Sequence, residues 1–165
     1  MVKSLRIVNF GLGPIGCSIA RLLLEKRGVN IVGAIDIDRN RVGKDLGDVI
    51  GANRKLGVKV SDDAAKTLKK TKPDVVVHCT SSYLKVILPQ LRQIMAAGAD
   101  VVSTAEELMY PFYTNPTIAR QIDRLAKKNK VTVLGTGINP GFVMDTLAVA
   151  MTAVTQRVEA IEATR

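Results

Sequence analysis

Aromatic residues are scarce in this sequence. Its 165 residues include no tryptophan, three tyrosines and three phenylalanines. A surface that stacks nucleobases on ring after ring is therefore not expected. Cysteine is nearly as rare. Two cysteines cannot build a disulfide framework, and Cys17 and Cys79 both fall in apolar stretches, so they read as reduced core thiols of a cytoplasmic protein. One histidine rules out a His-rich metal site, and no Cys/His zinc cluster is expected. No apolar run approaches the roughly 18 residues of a membrane span, so no membrane association is expected. The opening residues alternate and are cut by Lys3 and Arg6, which is not the layout of a secretory signal.

What is present points to one packed domain. Hydrophobic residues make up 47% of the chain, enough to exclude disorder for most of its length. The net charge of +9 would suit nucleic acid. However, the positive residues are spread over helical stretches (Lys66, Lys69, Lys70, Lys72; Arg120, Arg124, Lys127, Lys128, Lys130) and several close their helices, where they complement the dipole. They read as solvated faces, and the field equally favours an anionic small ligand. No nucleic acid partner is expected.

The periodicity alternates between strand and helix. Residues 3–10 alternate, and Ile15, Ile19, Leu22 and Leu23 then form a helical stripe. Residues 30–36 read as a second strand, 44–50 as a short helix and 58–60 as a short strand. Ser61 is the expected cap of the next helix, with acids in its first turn. Residues 74–79 are apolar on both faces, the mark of a buried parallel strand. A stripe over Leu84, Ile87, Leu88, Leu91, Ile94 and Met95 follows, and Pro89 is expected to start or kink that helix. Residues 101–103 and 131–134 read as strands around a helix marked by Ile118, Ile122, Leu125 and Ala126. A last helix carries Met144, Leu147, Ala148, Met151 and Val154, and residues 158–164 read as a final strand. About six βα units predict an α/β fold with a doubly wound parallel sheet of the Rossmann type.

The strongest motif is Gly11-Leu12-Gly13-Pro14-Ile15-Gly16, between the first strand and its helix. Gly11 permits the sharp turn, Gly13 lets a pyrophosphate approach the backbone, and Gly16 lets helix and strand pack closely. Pro14 suits a first helical turn, whose free amides and dipole favour phosphate. Asp36 ends the next strand, about 25 positions on, as the motif requires. Its expected role is to accept the adenosine ribose hydroxyls and favour NAD, although Arg39 and Arg41 stand ready for the 2′-phosphate of NADP. A helix cap or a surface acid is the plainer alternative for Asp36. The cofactor is therefore read as NAD or NADP.

Other candidates are less specific. Thr80-Ser81-Ser82 follows a central strand, where ligands bind in such sheets, and equally suits a hydroxyl-capped turn. His78, inside an apolar strand, reads as a satisfied core histidine. Cys17 reads as a packed thiol. Glu106 and Glu107 follow the next strand and either bind an ammonium group, take a proton or serve as first-turn acids.

Several blocks then run in order: Gly-Leu-Gly-Pro-Ile-Gly at 11–16, Gly-Ala-Ile-Asp at 33–36, Val-Gly-Lys-Asp-Leu-Gly at 42–47, Ala-Glu-Glu-Leu-Met-Tyr-Pro at 105–111, and Gly-Thr-Gly-Ile-Asn-Pro-Gly-Phe-Val-Met-Asp-Thr-Leu at 135–147. Together they resemble the 2,4-diaminopentanoate dehydrogenases of the dihydrodipicolinate-reductase-like group. The resemblance implies NAD(P)-dependent oxidative deamination of 2,4-diaminopentanoate, within ornithine fermentation. It implies that the residues from Gly11 through Leu12, Gly13, Pro14 and Ile15 to Gly16 hold the pyrophosphate, Asp36 the ribose, and Thr80 with Ser81 the nicotinamide ribose. Asn139-Pro140-Gly141 resembles the Asp-Pro-Gly of diaminopimelate dehydrogenases, whose acid faces the substrate. Asn139 and Gly141 are thus substrate candidates, with Glu106 or Glu107 supplying the charge that Asn139 lacks.

Members of that group are longer. Residues 1–156 are therefore read as the NAD(P)-binding domain and 157–165 as the start of a truncated substrate domain, with a homo-oligomer expected at full length. Alternatives are a dihydrodipicolinate reductase, another amino-acid dehydrogenase of the group, or a non-catalytic nucleotide-sensing module.

Overall fold

Six strands, all parallel, form one sheet in the computed structural model, which describes residues 4–164. Strand β1 (Leu5–Phe10) lies near the centre, and the order is β3-β2-β1-β4-β5-β6. The remaining strands are β2 (Val29–Ile35), β3 (Val60–Ser61), β4 (Val75–His78), β5 (Asp100–Ser103) and β6 (Val133–Gly135). The chain winds outward to one edge, returns to β4 beside β1, and winds to the other edge. This is the doubly wound Rossmann arrangement expected from the sequence. Its reversal between β1 and β4 opens a crevice at the carboxyl ends of the strands.

Helices α1 (Pro14–Glu25), α2 (Leu46–Ile50), α3 (Ala64–Thr71), α4 (Leu84–Ala96), α5 (Pro111–Thr114), α6 (Pro116–Asn129) and α7 (Leu147–Met151) make the connections. The core falls into two clusters. One gathers Val8, Phe10, Val76 and Val101 of the sheet with Leu84, Ile87, Leu91, Ile94 and Met95 of α4. The other gathers Leu12, Cys17 and Ala20 with Ala34, Leu46, Ile50 and Val60. Each fully buried Leu or Ile contributes on the order of 2 kcal/mol from apolar burial, so the α4 stripe is a large part of what holds the sheet's helix layer.

Several helices return to the sheet through residues in the left-handed region: Gly28, Lys72, Gly98 and Lys130, with φ of 76°, 43°, 76° and 57°. All four lie at the rim opposite the crevice.

Three local expectations are corrected. Pro89 does not start α4, which begins at Leu84 and runs through it. The proline ring deprives the carbonyl of Lys85 of its helical donor. Both residues are exposed, and the buried stripe on either side holds the helix. The cap of α3 is Asp63, which accepts the Lys66 amide at 2.8 Å, whereas Ser61 belongs to β3 and its hydroxyl takes the Asp63 amide at 3.1 Å. Residues 158–164 form no strand. They are exposed and pair with no described strand. Among the described residues no helix is long and apolar enough to cross a membrane.

Candidate functional site

The turn from β1 into α1 is built by three glycines with three different surroundings. Gly11 has φ of 96°, and a Cβ there would lie 2.4 Å from the Cys79 carbonyl oxygen. A Cβ on Gly16 would lie 1.9 Å from the Gly11 carbonyl oxygen. These two are demanded by the packing of the turn itself. Gly13 is different, since a Cβ there would meet nothing within 4 Å. The backbone at Gly13 is therefore bare toward open space.

Gly13 is also the N-cap of α1, with no side-chain cap and no acid in the first turn. The first helical bond runs from the Cys17 amide to the Gly13 carbonyl at 2.9 Å, so the amides of Ile15 and Gly16 precede the ladder. Pro14 has no amide to leave unsatisfied. An uncapped helix start with free amides attracts an anion.

Leu12 faces the other way. Its side chain is fully buried, and its amide donates to Asp36 Oδ2 at 2.6 Å. Asp36 is itself buried. Its Oδ1 accepts the Asp38 amide at 2.8 Å, and Oδ2 also meets Arg41 Nη1 at 3.3 Å. Asp36 is thus a clamp between the glycine turn and the loop after β2, with one remaining lone pair on Oδ1 for a ligand hydroxyl. Asn9 was not singled out by the sequence reading. Its amide group donates to the carbonyls of Gly11 (3.3 Å) and Gly16 (3.2 Å), tying both ends of the turn. A polar residue between Val8 and Phe10, in the buried half of the strand, was its only signal.

A cavity of about 330 Å³ opens over this turn, lined among others by Gly13, Asp36, Arg41, Thr80, Ser81 and Gln90. Thr80 and Ser81 therefore share a cavity with Asp36 and Arg41. Ser81 Oγ accepts the Tyr83 amide at 3.3 Å, the capped turn considered from sequence. Thr80 Oγ1 donates to Gln90 Oε1 at 2.6 Å. Behind them His78 is fully buried, a satisfied core histidine as expected. Burial holds its imidazole below the ordinary value, partly opposed by its hydrogen bond with Gln90. Burial likewise pushes the Cys79 thiol up, so it is no ready nucleophile.

A second cavity, of about 350 Å³, lies beyond the end of β5 and is lined by residues including Glu106, Glu107, Tyr110, Tyr113, Pro140 and Asp145. The two glutamates divide their duties. Glu107 Oε2 accepts the Leu84 amide at 2.7 Å and caps α4, whose N-cap Tyr83 provides no side-chain bond. Glu106 Oε2 is buried without a hydrogen-bond partner among the described residues. Asn139 and Gly141 stand in the adjoining loop, where the cavity lining takes Pro140 instead. Gly141 has φ of 138°, and a Cβ on it would lie 1.8 Å from the Gly137 carbonyl oxygen. Its glycine is required by that backbone crossing. Its amide donates to Asp145 Oδ2 at 2.6 Å, a capping role the sequence did not disclose. Among the described residues no group of three His, Cys, Asp or Glu side chains is placed to hold a metal ion.

Comparison with known proteins places the chain among dehydrogenase and reductase relatives. Residues 5–107 match the family described as dihydrodipicolinate reductase, N-terminus. The chain is 37% identical over 161 residues to a 2,4-diaminopentanoate dehydrogenase of Acetoanaerobium sticklandii, covering 97% of this chain and 45% of that one. It is 39% identical over 77 residues to a 4-hydroxy-tetrahydrodipicolinate reductase of Methanococcus vannielii, covering 45% of this chain and 28% of that protein. The solved structure of an amine dehydrogenase from Mycobacterium smegmatis superposes with a TM-score of 0.85 at 41% identity, over 92% of this chain and 45% of that one. The chain thus spans less than half the length of these relatives.

Proposed function

Because the chain belongs to the family of dihydrodipicolinate reductase N-termini, we propose that it is the NAD(P)-binding part of an amino-acid dehydrogenase that oxidatively deaminates 2,4-diaminopentanoate. The products are 2-amino-4-oxopentanoate and ammonia, with water supplying the ketone oxygen. The observation that carries the cofactor reading is the bare face of Gly13 beside an uncapped helix start. The substrate reading is supported by similarity to the diaminopentanoate enzyme along 97% of this chain, including the blocks at 105–111 and 135–147.

The residues present fit a dinucleotide. Gly13 and the amides of Ile15 and Gly16 would receive the pyrophosphate, with Gly11, Leu12, Pro14 and Asn9 shaping the turn. The free lone pair of Asp36 would take a ribose hydroxyl, with Arg41 and Arg39 beside it for NADP. Thr80 and Ser81 share the Asp36 cavity, which favours the adenosine half of the cofactor for them over the nicotinamide ribose. A bound nicotinamide would supply the hydride acceptor for oxidation at the amine-bearing carbon.

Glu106, with a buried oxygen lacking a partner, is the acid suited to face an ammonium group, while Glu107 is occupied as a helix cap. Asn139 and Gly141 act through the loop that walls this second cavity. In this reading the substrate is a small amine, and residues 1–156 form the cofactor domain. The rest of the substrate site and the homo-oligomer contacts belong to the longer protein.

The test is reduction of NAD and NADP by the full-length protein with 2,4-diaminopentanoate, followed by the absorbance of the reduced nicotinamide. Turnover with this diamine is expected, and the 165-residue chain alone is expected to bind cofactor with little turnover. Turnover of other amines without any on this one would overturn the substrate assignment.

A further inference from the structure

A buried polar network lies behind Thr80. His78 is fully buried at the end of β4, edge-on to Phe10 with ring centroids 5.5 Å apart. Its Nδ1 lies 2.9 Å from Ser103 Oγ, and its Nε2 lies 2.7 Å from Gln90 Oε1 and 3.0 Å from Thr80 Oγ1. Thr80 donates to the same Gln90 oxygen at 2.6 Å.

These contacts select one arrangement of protons. Gln90 Oε1 can only accept, so Nε2 carries the hydrogen that meets it, and the Ser103 hydroxyl, which accepts the Ala105 amide at 3.2 Å, donates its own proton to Nδ1. Nδ1 is then the acceptor nitrogen of a neutral ring, and Nε2 carries the hydrogen. Gln90 Oε1 thus receives two donors, one from His78 and one from Thr80. A carbonyl oxygen with both lone pairs engaged fixes the amide plane. The amide NH₂ is turned away from the two donors, and Gln90 lines the cavity over the glycine turn together with Asp36 and Arg41.

Building on the cofactor reading above, we propose that Gln90 is a cofactor-contacting residue. His78 and Thr80 orient it so that its NH₂ donates to a hydrogen-bond acceptor on the adenosine half of the dinucleotide. His78 acts through Gln90 and is a positioning residue. The adenosine half is assigned because Asp36 and Arg41, at the end of β2, wall the same cavity.

The lone histidine makes the arrangement directly observable. Nitrogen-15 NMR of the unliganded 165-residue chain is expected to show His78 neutral with the hydrogen on Nε2. The Nδ1–H tautomer would overturn the proposal, because it requires the Gln90 amide turned around with its oxygen toward the cavity. Binding is then measured by calorimetry with NADH and with ADP-ribose for the wild type, Gln90→Glu and Gln90→Met. Gln90→Glu keeps an acceptor for His78 and Thr80 but offers no donor to the cavity. It is expected to weaken both ligands roughly tenfold while leaving Tm near the wild type. Gln90→Met is expected to weaken both as much and to lower Tm, which separates lost donation from charge repulsion. Wild-type affinity in Gln90→Glu would overturn the role of Gln90 while leaving the cofactor reading intact. Weakening of NADH without weakening of ADP-ribose would overturn the adenosine assignment. Failure of the wild type to bind either ligand would overturn the cofactor reading, and this proposal with it.

Discussion

The amide of Leu12 is held by the carboxylate of Asp36 at 2.6 Å, so the acid that ends the second strand grips the turn that ends the first. The ribose-binding acid expected from sequence is thereby also a fastener of the glycine turn. Asp36→Ala should destabilise the fold by about 1–3 kcal/mol, the usual cost of removing a buried charged partner from a hydrogen bond. It should also weaken NAD binding. Thermal denaturation and NAD titration check both, and an unchanged Tm would refute the clamp.

The glycines should separate by consequence. Gly13→Ala meets open space, so Tm should shift little, while dinucleotide affinity falls at least roughly tenfold because the new methyl occupies the phosphate approach. Gly16→Ala forces a contact with the Gly11 carbonyl and should destabilise by about 1–3 kcal/mol. Parallel melting curves and binding isotherms for the two variants decide.

The paired glutamates should also behave differently. Glu107→Ala leaves the Leu84 amide without its cap and should cost about 1 kcal/mol of stability. Glu106→Gln should change stability little. In the full-length enzyme it should raise KM for the diamine more than it lowers kcat. A larger Tm loss in Glu106→Gln than in Glu107→Ala would reverse these roles.

His78 predicts a pH dependence. Burial holds its folded value below 6.5, so the unfolded chain takes up the proton first as pH falls. The stability that its neutral form confers is complete above 6.5 and is lost as pH drops toward the folded value. The Tm advantage of the wild type over His78→Gln should shrink between about pH 8 and about pH 5. A constant gap would show that His78 does not titrate differently in the folded state.

Much of this was legible in the sequence because it is periodic or local. The βα alternation, the glycine fingerprint and Asp36 at its spacing all depend on residues near one another in the chain. Contacts between distant segments were hidden. Nothing around Glu107 announces that its carboxylate reaches Leu84, 23 positions earlier, and nothing around Gln90 announces His78. Pro89 misled as a helix start for a related reason: local backbone rules favour proline in a first turn, yet α4 begins at Leu84, and its buried stripe outweighs the one helical bond that the proline removes. The final strand failed because alternation over a short segment does not by itself make a strand, and residues 158–164 pair with no described strand.

The left-handed turns at Gly28, Lys72, Gly98 and Lys130 all sit on the far side of the sheet from the crevice. That separation offers a practical handle. A dye or an affinity tether attached at any of these corners would stand across the sheet from the glycine turn and so immobilise the domain with its crevice facing outward.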